Sequence, residues 1–251
     1  AMLQITQLRK VFVSGNGMEK VALNEINLDV GPGDFITIIG SNGAGKSTLL
    51  NAIAGVYGIE QGRIRIEGQD VTLWPEYRRA ELIGRVFQDP MAGTAASMTI
   101  EENLAMALKR GCQPGLRFGV NQRNRTHFRD LLSLVDLGLE DRLKEPVGLL
   151  SGGQRQALTL LMATISSPKL LLLDEHTASL DPKTAEQIGD LTSEIVARRR
   201  LTALMITHNL QDALKFGNRT LIMDQGNIIL DIRNPRRAKM TVDYLLQQFM
   251  D

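Results

Sequence analysis

The chain has 251 residues, of which 43% are hydrophobic and 23% charged, and its formal net charge is +1. Such a chain can bury a large core without disulfides, and its near-zero charge argues against a general attraction to nucleic acid or acidic lipid. The single cysteine, Cys112, cannot form an internal disulfide and is expected to be inert. No apolar run approaches the ~18 residues of a membrane span, and the first residues lack a signal-peptide core. We therefore expect a soluble, cytoplasmic protein.

Strand patterns dominate the first part of the sequence. Leu3–Val13 and Ala22–Val30 alternate loosely between apolar and polar residues and are predicted strands, with a turn at Gly15–Gly17 between them. Phe35–Gly40 is a continuous β-branched run, which is typical of a strand buried on both faces of a parallel sheet. Helical spacing follows over Lys46–Val56.

The pattern changes at about Asp89, where helical spacing replaces the strand signals until about Ser166. After Pro168, buried-strand runs return at Lys169–Asp174, Thr202–Thr207 and Arg219–Asp224, and helical stretches separate them. This alternation of strands and helices predicts a parallel sheet.

We therefore predict one α/β domain over residues 1–251, in which a helical segment interrupts the sheet. The predicted parts are an α/β core formed by residues 1–88 and 167–235, a helical subdomain over 89–166, and a C-terminal helix over 236–251.

A phosphate-binding motif lies between the predicted strand and helix near the N-terminus. The run GSNGAGKST, Gly40–Thr48, fits the P-loop pattern in the strand-to-helix context that the motif requires. Glycines let backbone N–H groups surround phosphates, and the helix adds its positive end. Lys46 is expected to reach the β- and γ-phosphates, and Ser47 offers a hydroxyl to Mg²⁺. A glycine-rich turn without function is the alternative.

A second motif follows the leucine run at Leu170–Leu173, which leads directly into Asp174 and Glu175. A P-loop protein needs a carboxylate for Mg²⁺ at the end of a strand neighbouring the P-loop, and Asp174 is in that position. Glu175 lies one residue further, where it can orient or deprotonate an attacking water. The alternative is that Glu175 only caps the next turn.

The sequence LSGGQ, Leu150–Gln154, lies between these two motifs, and ITH follows them at Ile206–His208. With this combination, nearly the whole chain resembles the ATP-binding subunits (nucleotide-binding domains) of bacterial ABC transporters. The resemblance implies an ATPase with a P-loop NTPase core: a mostly parallel sheet flanked by helices, antiparallel strands on the N-terminal side, and an inserted α-helical subdomain. The region after LSGGQ also resembles a subgroup whose permeases look like amino-acid importers and that has been linked to aromatic amino acids.

The resemblance also implies roles for individual residues. For catalysis it implies Glu175, Gln88 and the switch histidine His208. For the subunit's own ATP it implies Phe12, Gly40, Ser41, Asn42, Gly43, Ala44, Gly45, Lys46, Ser47 and Thr48, with Phe12 stacking on adenine. For the ATP of a partner subunit it implies Ser151, Gly152, Gly153, Gln154 and Asp181, and for Mg²⁺ it implies Ser47, Gln88 and Asp174. A core role for Phe12 and a structural role for His208 are the alternatives.

The sequence departs from the family pattern at two places. His176 stands where most members have proline, and we expect it either to be neutral for the mechanism or to bond Asp181 or a partner subunit. The helix segment Ala157–Ile165 is apolar and lacks the usual arginines, which predicts different packing of the helical subdomain.

The resemblance implies ATP and Mg²⁺ as cofactors and a head-to-tail homodimer, or a dimer with a like subunit. It further implies separate transmembrane permeases, an extracytoplasmic solute-binding protein, no nucleic acid, and a location on the inner face of the cell membrane. Import of amino acids or similar small solutes is the expected function. A soluble ABC ATPase in a non-transport assembly complex is the alternative. A translation factor would usually carry two cassettes, whereas this sequence has one. A chromosome ATPase would place a long coiled coil between the P-loop and LSGGQ, whereas this segment has no heptad run.

Overall fold

The computed structural model describes residues 1–110 and 120–247. Cys112 and the last four residues of the predicted C-terminal helix lie outside the described residues. The strands are β1 (Leu3–Val13), β2 (Glu19–Val30), β3 (Phe35–Gly40), β4 (Gln61–Ile66), β5 (Gln69–Asp70), β6 (Ile83–Val86), β7 (Leu170–Asp174), β8 (Thr202–Ile206), β9 (Arg219–Asp224) and β10 (Asn227–Arg233). The helices are α1 (Lys46–Ala54), α2 (Glu76–Arg79), α3 (Ile100–Leu108), α4 (Gln122–Ser133), α5 (Gly152–Thr164), α6 (Pro182–Arg199), α7 (Leu210–Lys215) and α8 (Val242–Gln247).

The described strands form two sheets. The N-terminal sheet is antiparallel and has the order β2-β1-β4-β5. The second sheet has the order β10-β9-β3-β8-β7-β6. It is parallel from β9 to β6, and β10 is antiparallel to β9 at the edge. Because parallel strands end at the same edge, the carboxyl ends of β3, β7 and β8 lie together.

The leucine run of β7 is explained by burial on both faces of this sheet. Leu170 and Leu172 belong to the apolar core that α1 and the antiparallel sheet share with the parallel sheet. Leu171 and Leu173 belong to the core that the helices α3 to α6 form on the opposite face. A strand covered on both faces needs no polar alternation, and an unbroken apolar run follows.

The helical region contains α3, α4 and α5, which pack against one another. Thr99 begins α3 with a capping box, in which its hydroxyl accepts from the Glu102 N–H and the Glu102 carboxylate accepts from the Thr99 N–H. Such reciprocal caps satisfy N–H groups that the first helical turn leaves unpaired. No helix in the described part of the chain is long and apolar enough to cross a membrane.

Several element boundaries differ from the sequence-based prediction. Strands β6 and β10 were not predicted. Strand β6 gives a weak signal because it is only four residues long and contains Arg85. Beyond residue 236 the structure has a short 3-10 turn, Arg237–Lys239, and then α8 instead of one continuous helix, since Met240 between them has extended backbone angles.

Candidate functional site

The loop between β3 and α1 depends on its glycines. Gly43 and Gly45 have φ angles of +82° and +99°, which lie in the left-handed region that glycine adopts without steric cost. A Cβ atom at Gly40 would overlap the carbonyl oxygen of Met223 on β9. The glycine pattern of the motif therefore follows from this backbone path and from its close contact with β9.

Lys46 begins α1, and its ammonium folds back over the loop. Its Nζ atom donates hydrogen bonds to the carbonyl oxygens of Gly40 at 2.8 Å and Ser41 at 3.0 Å. Burial lowers the pKa of Lys46, while the nearby carboxylates of Glu175 and Asp174 oppose this effect. A buried cation above inward-facing N–H groups is suited to anionic phosphate oxygens.

A pocket of about 260 Å³ opens over this loop. It is lined by Phe12, Lys20, Ala22, Asn42, Gly43, Ala44, Gly45, Lys46, Ser47, Thr48, Glu175 and His208. The structure thus brings most of the residues expected at a subunit's own ATP together with two of the three expected catalytic residues.

Phe12 is at the mouth of this pocket and is not a core residue, since it is 37% exposed. The ring of Tyr57 meets it edge to face, with 5.2 Å between the centroids. Lys20 lies opposite Phe12 in the β1–β2 register and also lines the pocket, although the sequence analysis did not select it. The predicted hairpin could have identified Lys20, because residues at equal distances before and after Asn16 pair with each other.

Asp174 faces Ser47, and the Ser47 hydroxyl donates to Asp174 Oδ1 at 3.3 Å. The sequence analysis expected Asp174 on a strand neighbouring β3, but β8 lies between β3 and β7. Burial raises the pKa of Asp174, and the guanidinium of Arg85, 3.9 Å from Oδ2, opposes that effect. Arg85 also donates to Asn51 on α1. Sequence reasoning missed Arg85, whose role depends on the unpredicted strand β6.

Glu175 directly follows β7, and its backbone has a φ angle of +47°. Its carboxylate Oε1 lies 2.5 Å from Nε2 of His208, which follows β8. The Glu175 side chain is 13% exposed, whereas that of His208 is 46% exposed. Glu175 therefore forms part of the pocket wall, and one of its carboxylate oxygens contacts the His208 imidazole. The first turn of α6 is capped by the side chain of Asp181, which accepts from the Thr184 N–H at 3.1 Å.

The remaining predicted residues lie outside the pocket of their own chain. Gln88 is exposed and does not line it. Ser151 caps α5 through a capping box with Gln154, and neither residue lines the pocket. Gly152 and Asp181 are exposed, and they are likewise absent from the lining. Of the residues expected at a partner's ATP, Ser151, Gly152 and Asp181 are thus exposed, whereas Gly153 is buried, and none of them lines this chain's P-loop pocket.

Of the alternatives considered for His176, the bond to Asp181 is wrong for this chain. His176 is 2% exposed, and its Nε2 atom lies 2.9 Å from the hydroxyl of Thr192 on α6. Asp181 is engaged instead in capping α6. The imidazole is therefore buried beneath α6.

Together, a glycine loop before a helix N-terminus, a lysine over that loop and a strand-end carboxylate facing its serine define a P-loop ATPase. The family model described as "ABC transporter" matches residues 23–178. The chain belongs to this family as an ATP-binding domain, and it hydrolyses ATP as the family does.

Three curated relatives show how far the similarity extends. A tyrosine transport ATP-binding protein of Clostridioides difficile (strain R20291) is 42% identical over 248 residues, covering 99% of this chain and 98% of the relative. The methionine import ATP-binding protein MetN 2 of Enterococcus faecalis is 34% identical and covers 91% of this chain and 64% of the relative. The thiamine import ATP-binding protein ThiQ of Yersinia pseudotuberculosis is 36% identical, covering 82% of each.

Solved ATP-binding cassettes have the same fold. The ADP conformation of MJ1267, an ATP-binding cassette of an ABC transporter, has a TM-score of 0.80 at 26% identity, covering 99% of this chain and 98% of that chain. A dimeric structure of the cassette MJ0796 in a post-hydrolysis state, bound to ADP and Pi, has a TM-score of 0.79 at 25% identity. That comparison covers 92% of this chain and 98% of the other.

Proposed function

We propose that this chain drives an importer of amino acids or similar small solutes by closing and opening as a head-to-tail homodimer around two ATP molecules. One observation carries the proposal: the P-loop pocket contains Glu175 and His208, but none of the signature residues lines it. A second chain placed head to tail would bring its signature to this pocket. Such an arrangement is two-fold and isologous, so both pockets would be completed at once.

The signature is suited to binding the phosphate of a partner's nucleotide. Ser151 and Gly152 are exposed at the N-terminus of α5, a helix of 13 residues. Helix N-termini present N–H groups and a positive dipole end to anions. In the proposed dimer, this helix end would face the γ-phosphate over the other chain's Lys46.

The oxygen atoms at the end of β7 fit Mg²⁺. The Ser47 hydroxyl and the Asp174 carboxylate meet at 3.3 Å, and Mg²⁺ is usually bound by one or two protein oxygens, substrate phosphates and water. Among the described residues no cluster of three or more His, Cys, Asp or Glu could hold a metal by itself, which is consistent with a metal bound together with nucleotide. When bound, Mg²⁺ neutralises charge on the phosphate oxygens. Ser47 and Asp174 would hold it, and Gln88 would complete the site from the helical side.

Glu175 would orient the attacking water and accept its proton. The carboxylate oxygen that does not contact His208 would accept a hydrogen bond from water above the P-loop. His208 would hold the carboxylate in that orientation and would contact the γ-phosphate as the dimer closes.

The relatives support the substrate class and the partners. The relative that matches nearly end to end is described as a tyrosine transport protein, and others as methionine and thiamine import proteins. We therefore propose an aromatic amino acid as the transported solute. The proposed partners are separate permease subunits, which would hold the chain at the inner face of the membrane, and an extracytoplasmic solute-binding protein.

The test compares wild type with Glu175→Gln in ATP and Mg²⁺, measuring hydrolysis and oligomeric state. The variant should lose turnover and accumulate as an ATP-bound dimer, because ATP joins the subunits and hydrolysis separates them. Glu194→Gln is the matched control, since Glu194 is exposed on α6 and pairs with Arg198. Wild-type turnover in Glu175→Gln would refute the assignment.

For the substrate, cells that lack this chain should lose uptake of labelled tyrosine and regain it with wild type but not with Glu175→Gln.

A further inference from the structure

His176 is bound from two sides by helices of different parts of the fold. Its Nε2 atom lies 2.9 Å from the Thr192 hydroxyl on α6, and its carbonyl oxygen accepts a hydrogen bond from Gln156 Nε2 on α5 at 2.5 Å. His176, Thr192 and Gln156 are at most 2% exposed. The residue after Glu175 is therefore fixed through both its side chain and its backbone.

The direction of the hydrogen bond between His176 and Thr192 follows from the number of hydrogens that the Thr192 hydroxyl can donate. The Thr192 hydroxyl donates to the carbonyl oxygen of Ile188 at 2.7 Å, and a hydroxyl has one hydrogen to donate. The imidazole must then donate from Nε2 to Thr192 Oγ1. Thr192 is thus a specific acceptor, and only a side chain with an oxygen at this position can replace it.

The position that needs this support is Glu175. Its φ angle of +47° is in the left-handed region, which is unfavourable for a residue with a side chain. Such a conformation persists where the surrounding structure holds it. His176 supplies that hold directly, because it is the next residue and is tied to two helices.

The same contacts join the helical region to the strand ends. Gln156 Nε2 also donates to the carbonyl oxygen of Phe87 at 3.0 Å, one residue before Gln88. Gln156 lies in α5, the helix that the signature begins. One buried amide therefore connects the signature helix to the chain segments before Gln88 and after Glu175.

We propose that His176 is a positioning residue for hydrolysis, which holds the Glu175 carboxylate in place through its bond to Thr192. This inference rests on the proposed role of Glu175. His176 touches neither the pocket nor the nucleotide site, and it acts through the backbone that it shares with Glu175.

The test uses Thr192→Val, which keeps the shape of the side chain and removes the acceptor oxygen. The expected result is a roughly fivefold lower kcat at an unchanged KM for ATP. The lost hydrogen bond raises the barrier to hydrolysis, because Glu175 is held less firmly, and leaves the binding of ATP as it is. Thr192→Ser restores the hydroxyl and should restore kcat. Thr164→Val is the matched control, because Thr164 is fully buried and its hydroxyl donates to Leu160 in the same helical way.

A further comparison uses His176→Ala alone and together with Thr192→Val. Because both remove one bond, the double variant should be no slower than His176→Ala. The inference is overturned if Thr192→Val keeps the wild-type kcat, if Thr192→Ser fails to restore it, or if Thr164→Val lowers kcat equally. Glu175→Gln is run beside them: wild-type turnover in that variant would refute the proposed function itself, whereas an inactive Glu175→Gln with a normal Thr192→Val would refute only the role of His176.

Discussion

Nε2 of His208 lies 2.5 Å from Oε1 of Glu175, and this contact joins the ends of two adjacent parallel strands across the P-loop pocket. It engages one carboxylate oxygen of Glu175, a residue that also lines the pocket. The two acids at the end of β7 therefore have different partners: Asp174 faces Ser47, whereas Glu175 faces the His208 imidazole.

Replacing His208 by alanine should lower kcat by roughly 100-fold and leave KM for ATP near the wild-type value. The reason is that Glu175 loses its orienting partner, while the P-loop that binds phosphate is intact. Steady-state hydrolysis as a function of ATP concentration is the measurement. His127→Ala is the control because His127 is exposed on α4, far along the chain from the site. A variant with raised KM and unchanged kcat would instead place His208 in nucleotide binding alone.

Phe12→Ala should raise KM for ATP by about tenfold with little change in kcat. Stacking of a base on an aromatic ring contributes about 1–3 kcal/mol, and the Phe12 ring lines the pocket with the Tyr57 ring nearly perpendicular to it. Phe12→Tyr keeps the ring and should bind ATP almost normally. Equal KM values for Phe12→Ala and Phe12→Tyr would show that the base rests elsewhere.

The parts of the fold that the sequence predicted well are those in which burial on both faces leaves an unbroken apolar run. Strands β3, β7 and β9 were located in this way, and the P-loop and the two acids at the end of β7 could be placed at strand ends. Local chemistry was sufficient there, because each motif is one short segment between a strand and a helix.

The contacts that the sequence could not predict join segments that are distant along the chain. Arg85 approaches Asp174 only because β6 pairs with β7, and β6 has too few apolar residues to be recognised. His176 meets Thr192 only because α6 packs over the end of β7. Neither partner has a sequence signal of its own, since the long-range packing alone brings them together.

The two glycines of the signature should tolerate substitution very differently. A Cβ atom at Gly153 would overlap the methyl group of Thr184, whereas one at Gly152 would lie 3.5 Å from Leu180, an ordinary contact. Gly153→Ala should therefore lower the free energy of unfolding by about 1–3 kcal/mol, and Gly152→Ala should leave it almost unchanged. Urea unfolding measures both.

Removing the obstructing methyl group provides the decisive comparison for Gly153. Thr184→Ser keeps the backbone N–H that donates to Asp181, so the helix cap is retained. Combined with Gly153→Ala it should recover most of the lost stability. If the double variant remains as unstable as Gly153→Ala alone, the conflict is with the helix backbone and not with Thr184.

His176 should make the protein less stable as the pH falls below neutrality. Burial lowers the pKa of His176 to about 4, against 6.5 for an unperturbed histidine. Between these values the unfolded chain binds a proton at this residue and the folded chain does not, so the free energy of unfolding rises with pH across that window. Above pH 6.5 the effect is absent. From pH 6.5 down to 4 the loss reaches about 3 kcal/mol, by the usual conversion of a pKa difference.

Urea unfolding at a series of pH values from 4 to 8 tests this effect, with His176→Gln compared to wild type. Glutamine does not titrate, so the difference in unfolding free energy between the two proteins should shrink as the pH falls and level off near pH 4. His127→Gln, which removes an exposed histidine of α4, is the control for the loss of a histidine as such. A constant difference between His176→Gln and wild type from pH 4 to 8 would mean that the buried imidazole takes up its proton as readily in the folded chain as in the unfolded one. Water would then reach the space between α6 and the end of β7, contrary to the 2% exposure of His176.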